Sequence, residues 1–182
     1  MTLRSALRRF WSDTRASVSL EALILMPAMF FALAATFTYW DTFRVQNANS
    51  KASFTVADMI SREMTSVNTA YITGLHQMYR YMTATDEETW MRVTSVQFRA
   101  SDNTYRLLWS RTTSPTRAPA HTNTTIAAAR ARLPRMANDD TVIVLETWQM
   151  FTPLFRIGVE PRIFNEFIVT PPRWLSPIPI TS

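Results

Sequence analysis

Between Ala22 and Trp40 the chain carries nineteen residues without a charge, and only Pro27, Thr36 and Thr38 interrupt the apolar side chains. At 1.5 Å per residue this is roughly 28 Å of helix, close to the ~30 Å hydrocarbon core of a bilayer. A lone segment in lipid has to be helical, because every backbone amide needs a partner within it. Tyr39 and Trp40 close the run with rings that suit the membrane–water interface, and Asp41 and Arg44 return the chain to water. Ahead of the run Arg4, Arg8, Arg9 and Arg15 stand against one acid, Asp13. That excess is expected to hold residues 1–16 in the cytoplasm and to send everything after Trp40 across the membrane. Inside the span Pro27 has no N–H to offer the Leu23 carbonyl, so a bend is expected there.

Glu21 lies just ahead of the lipid-length stretch, where a carboxylate is costly unless it is paired or reaches the interface. It is equally placed to be a plain boundary residue, favoured by the positive end of the helix dipole. A second interpretation concerns the run itself. Ala32-Leu33-Ala34 follows a basic segment and an apolar one in the manner of a secretory signal peptide, which would release a soluble periplasmic binding domain after Ala34. Against it, the apolar run continues through Phe37 and Trp40, and the preceding region is long and holds the acids Asp13 and Glu21.

A basic leader, a small residue, four more residues and then Glu before an apolar helix together resemble a type IV pilin-like prepilin. More narrowly, Arg15-Ala16-Ser17-Val18-Ser19-Leu20-Glu21-Ala22-Leu23-Ile24-Leu25-Met26-Pro27 is similar to the start of TadE-like pseudopilins of tight-adherence (Tad/Flp) pilus systems. The resemblance implies cutting after Ala16 by a membrane prepilin peptidase, with Ser17 as the new N-terminus and Glu21 as its fifth residue. It also implies that Glu21 serves subunit assembly by pairing with the N-terminal amine of a neighbouring subunit. The family usually has Gly where this chain has Ala16. Further on, Thr141-Val142-Ile143-Val144-Leu145-Glu146 followed by Phe151-Thr152-Pro153-Leu154-Phe155 looks like the family's late strand and Pro-Leu-Phe turn. Thr170-Pro171-Pro172-Arg173 resembles its closing segment, with a second Pro where Arg is usual, while residues 84–135 carry no part of the likeness. The implied partners are the inner membrane, the prepilin peptidase, other pseudopilins and the pilus assembly machinery. Because major pilins of these systems are very short, a chain of 182 residues fits a minor pseudopilin of pilus biogenesis.

Beyond Asp41 no Gly or Pro occurs until Gly74, and Val45, Ala48, Ala52, Val56, Met59, Ile60, Met64, Val67 and Tyr71 recur at three- and four-residue steps. This is one apolar stripe on a helix, extended by Leu75, Met78 and Met82. Its weak point is Gln46-Asn47-Ala48-Asn49-Ser50, mostly poor helix formers; without a break there, 17–82 would be one helix of about 100 Å. The stripe is expected to pack on the chain's own head over 59–82, and over 41–58 either there or on neighbouring subunits. Past Thr85-Asp86-Glu87-Glu88 the period changes. Residues 91–100 and 105–112 read as a β-hairpin about the turn Ser101–Thr104. Ser114–Thr122 reads as a loop, and Thr122–Thr125 as the cap of a short helix over Ile126–Leu133 ended by Pro134. Strands follow over Thr141–Phe151 and Ile163–Thr170, and the tail with Pro171, Pro172, Pro177 and Pro179 reads as extended. The expected fold class is α+β: a long membrane-spanning helix continuing outside the bilayer, then a small antiparallel head ordered strand-strand-helix-strand-strand. The expected organisation is a cytoplasmic leader at 1–16, a transmembrane helix at 17–40, an extended periplasmic helix at 41–83 and a periplasmic head with a Pro-rich tail at 84–182.

The chain offers little for catalysis. It has no cysteine, so no disulfide, thiolate metal site or cysteine nucleophile exists. The two histidines, His76 and His121, lack metal-ligand spacing, and two glycines cannot build a phosphate-cradling loop. Glu87-Glu88 and Asp139-Asp140 read as solvated turns. Without the leader's four arginines and its aspartate, 15 basic and 13 acidic residues remain, too scattered for a nucleic-acid surface. The expectation is a non-enzyme, without cofactor, metal, nucleic acid or small-molecule substrate.

Overall fold

The computed structural model describes residues 15–181; the 1–16 leader therefore lies outside the described residues but for its last two positions. The fold is α+β: a long apolar N-terminal helix, then a four-stranded antiparallel sheet with one short helix between its second and third strands. The elements are α1 (Arg15–Ser61), α2 (Thr69–Thr83), β1 (Thr89–Arg99), β2 (Thr104–Thr112), α3 (Asn123–Ala128) running into a 3₁₀ turn (Ala129–Arg132), β3 (Thr141–Phe151) and β4 (Arg162–Thr170). Two compact units result, one of residues up to Asp41 with Pro153–Glu160, the other of Thr42–Thr152 with the residues from Pro161 on.

In the second unit the sheet order is β2-β1-β3-β4, all neighbours antiparallel. Alternation assigns the strand residues to two faces. On one face Met91, Val93, Ile143, Leu145 and Ile168 form a cluster with Ala52, Val56, Ala57 and Ile60 of α1 and Ile72, Leu75 and Tyr79 of α2. The stripe over 41–58, open between two partners in the sequence, therefore packs on the chain's own sheet from Asn49 onward. On the other face Val96, Val142 and Val144 meet Ile126 and Leu133 of the short helical segment. Thr122 caps α3 through a reciprocal capping box with Thr125, as its position before the apolar residues predicts.

The extended helix expected over 41–83 is instead two helices. Gln46–Ser50 remain helical; the break falls at 62–68. Poor propensity at 46–50 is offset by side-chain use: Asn49 accepts a hydrogen bond from the Tyr79 hydroxyl, Ser50 donates to Glu166, and the hydroxyls of Ser53 and Thr147 meet at 2.7 Å. At the break the backbone groups freed from the helix find other partners. The Glu63 carboxylate accepts from the amides of Met64 and Thr65, both at 3.1 Å, and its pKa is lowered: the Thr65 hydroxyl's bond to it leads, and outweighs burial. The Arg173 amide donates to the Ser61 carbonyl at 2.7 Å, and Val67 pairs on both sides with Pro179 and Thr181. The Pro-rich tail is thus no solvated extension. Ile178 is fully buried, its carbonyl accepts from the Trp109 indole at 2.8 Å, and Arg173 pairs with Asp58 at 2.7 Å.

In the first unit α1 stays helical through Pro27. The segment between β3 and β4 lies against the last turns before Asp41. The Phe155 ring meets Phe37 edge-on at 6.4 Å, and the Thr38 hydroxyl donates to Ala34 at 2.8 Å with a longer second contact, 3.4 Å, to the Phe155 carbonyl. Gly158 takes φ +73, and a Cβ there would stand 2.7 Å from the Tyr39 hydroxyl, so both conformation and space favour glycine.

The restart at α2 depends on Asn68, whose side chain accepts from the Tyr71 amide at 2.8 Å. Asn68→Ala should remove about 1 kcal/mol and lower the melting temperature of the detergent-solubilised chain by roughly 3 °C, read by tryptophan fluorescence, whereas Asn68→Asp should leave it near the parent.

Candidate functional site

From Val18 to Phe37 α1 presents apolar side chains on all sides. Leu20, Leu23, Ile24, Leu25, Met26, Met29, Phe30, Phe31 and Leu33 are all more than half exposed. None of its most apolar eighteen-residue window is buried by the other described residues, and the mean hydropathy of that window is 2.0. A helix apolar all round is a buried or membrane helix, and here none of the other described residues buries that window. It is long and apolar enough to cross a membrane, as a membrane anchor or a signal sequence would be.

The residues singled out by sequence sit at the start of this helix. Ala16 and Ser17 fall in its first turn, with side chains outside the described residues. Glu21 is exposed, one turn on. Pro27 lines a shallow apolar hollow with Ala22, Leu23, Met26 and Phe30. A knob-sized side chain of another helix would fit such a hollow.

Sequence reasoning missed a second constellation, on the sheet face that carries α3. Arg92 and Glu146 are cross-strand partners, and Arg92 Nε donates to Glu146 Oε2 at 2.6 Å. His121 Nε2 lies 2.9 Å from the same oxygen, and its Nδ1 lies 2.8 Å from the Thr125 hydroxyl. All three side chains are largely buried, 12% exposed at Arg92 and 8% at the others. Burial alone would raise the Glu146 carboxyl, but hydrogen bonds from His121 and Arg92 and the charge of Arg92 outweigh it and hold the group below the ordinary carboxylate range. Trp90 and Trp148, the next cross-strand pair, stack at 6.1 Å, with Arg117 over the first ring and Arg92 over the second. Arg117 also pairs with Glu88.

This group works as a clasp. Arg92 donates to the Pro119 carbonyl at 2.6 Å and the His121 amide to the Ser110 hydroxyl at 2.9 Å, so the loop before α3 is fixed to the sheet at both points. The signal in the sequence was a lone charge in the interior of each of two strands, Arg92 in β1 and Glu146 in β3. Their separation by 54 positions hid the pairing. His76 is half-buried beside Tyr79, with Nε2 2.9 Å from the Thr89 hydroxyl, and burial pushes its pKa below the usual imidazole range. Among the described residues no three His, Cys, Asp or Glu side chains are placed to share a metal ion. An open hollow by the β1–β2 turn, lined by Phe98, Tyr105, Leu133 and Met136 with Arg130 and Arg135, has neither carboxylate nor histidine in its wall.

Comparison with family models, curated proteins and solved structures finds no match for this chain.

The clasp makes stability depend on acid. A carboxyl whose pKa is lower folded than unfolded stabilises the fold above its unfolded value, and that contribution is lost as pH falls through the folded one. Melting temperature should therefore drop on acidification below the ordinary carboxylate range, and drop less steeply in Glu146→Gln. At neutral pH that variant, leaving Arg92 buried without its counter-charge, should be less stable by about 3 kcal/mol.

Proposed function

We propose that this protein is a minor pilin-like subunit, a pseudopilin of the TadE-like kind, serving assembly of a Tad/Flp-type pilus. The observation that carries the proposal is an apolar helical stretch left unburied by the other described residues, opening on Glu21 and joined in one chain to an α+β head. Such a helix requires lipid or other helices around it, and a pilin-like subunit meets both. In the membrane the span anchors the chain with its leader in the cytoplasm and its head in the periplasm. During assembly neighbouring spans pack on the same surface, with the hollow at Pro27 as one point of contact.

Cleavage after Ala16 by a prepilin peptidase exposes the α-amino group of Ser17, four residues ahead of Glu21. Pairing of that amine with Glu21 of an adjacent subunit neutralises both charges where lipid and helices exclude water. Loss of one partner would leave the other desolvated and unpaired. The head's core lies in other residues, so Glu21 bears on association and not on folding. The protein acts in this role without catalysis or cofactor.

Mass spectrometry of the protein from cells holding the peptidase should show a chain beginning at Ser17. A chain beginning at Ala35 would establish signal-peptide release and end the proposal. Glu21→Gln keeps size and hydrogen bonding and removes the charge. It should be cleaved, inserted and folded as the parent is, yet recover partner pseudopilins at least about tenfold less well on co-purification. Full complementation of a deletion strain by Glu21→Gln would make Glu21 a boundary residue only.

A further inference from the structure

The segment Pro153–Glu160, between β3 and β4, carries a pair of large apolar side chains to the end of the apolar helix. Pro153 and Val159 are buried and tie the segment down, whereas Leu154 is 73% exposed, Phe155 41% exposed, and Arg156 exposed after them. The neighbours fix its level along α1. Phe155 touches Phe37 and its carbonyl is the second acceptor of Thr38, while Gly158 lies against Tyr39. Phe37 precedes Trp40 by three residues, which is about 4.5 Å along a helix toward the middle of the run. Trp40 is itself 59% exposed and its ring is 6.2 Å from Phe37.

We infer that this segment is a second membrane contact, with Leu154 and Phe155 seated among the lipid headgroups and first methylenes of the leaflet that Trp40 faces. The inference rests on the reading of α1 as a membrane span, and given that span it follows from position. A ring packed on Phe37 cannot sit farther from the bilayer than the aromatic belt to which Trp40 belongs. The depth is limited in the other direction by the segment's irregular backbone, whose polar groups need water or headgroups. The chemistry suits that boundary: two apolar side chains point outward, and the arginine that follows can keep its stem in the apolar layer while its guanidinium reaches phosphate oxygens. Thr38, buried to 2% although it lies within the span, is the polar side chain this segment shields.

The chain's lack of cysteine allows a direct test on the full-length protein in phosphatidylethanolamine–phosphatidylglycerol vesicles. Leu154→Cys, Leu33→Cys and Ser101→Cys are each labelled with an environment-sensitive fluorophore. Quenching is measured with aqueous iodide and with lipids carrying a nitroxide near the headgroup or deep in the chain. Leu33 reports the span, and Ser101 an exposed turn. The label at Leu154 should be quenched at least about threefold more by the shallow nitroxide than by the deep one, and iodide should reach it far less than the label at Ser101. If Leu33 is lipid-quenched while Leu154 is as open to iodide as Ser101, the span stands and the second contact is wrong. If Leu154 is shielded from iodide and from both nitroxide lipids, protein covers it, which also overturns the inference. If Leu33 itself is open to iodide, the membrane span fails and the inference with it.

Discussion

The α+β unit depends on the seating of α1 on the sheet through small side chains. Ala52, Val56, Ala57 and Ile60 share one buried cluster with Val93, Leu145 and Ile168, and among them the Ser53 hydroxyl reaches Thr147. Burial of Val56 and Ile60 is worth about 1.5–3 kcal/mol each, and the hydroxyl pair fixes the register that the apolar contacts leave free. The same helix has another constraint before Asp41, where its large apolar side chains from Leu20 to Leu33 are more than half exposed. One continuous helix therefore changes surroundings along its length, and its sequence changes with it: exposed Leu, Ile, Met and Phe on every side, then a single stripe packed on the sheet and flanked by Asn49, Ser50 and Ser53.

What was legible in the sequence was whatever short-range chemistry decides. Thr141–Phe151 stood out as a strand because its β-branched run is bounded by the Asp139-Asp140 turn, where Asp139 does take positive φ. Thr122 and Thr125 announced a helix start, and the hairpin turn at 101–104 was visible from its polar residues. What escaped depends on partners far along the chain. Residues 62–68 hold no Pro or Gly, and their departure from helix is supported by Glu63 locally and by the tail at Arg173 and Pro179–Thr181. The joining of Arg92, Glu146 and His121 likewise follows from strand register, which no spacing motif records. Neither the cut at Ala16 nor the pairing of Glu21 is a property of a single folded chain, so both remain proposals about assembly.

The clasp and the uncovered helix illustrate two uses of charge. In the head a carboxylate is buried with its counter-charge, Arg92, and its second partner, His121, supplied by its own chain, and the network holds one loop in place. At Glu21 the carboxylate is exposed, and in the proposed role its counter-charge arrives with another subunit. A charge satisfied internally serves rigidity. One completed only from outside can make association selective, because an apolar surface alone would accept any helix in the bilayer.

The tail's contacts have a temporal consequence. The Ser61 carbonyl, both backbone groups of Val67 and the indole of Trp109 all find their partners between Arg173 and Thr181. Ribosomal synthesis delivers those partners after the helices, hairpin and sheet they complete. Until then the α1–α2 junction has open backbone groups, and the cavity later filled by Ile178 lacks its occupant. The head therefore closes only once residues 173–181 are in place, so its completion is tied to a segment far along the chain from the helices it joins.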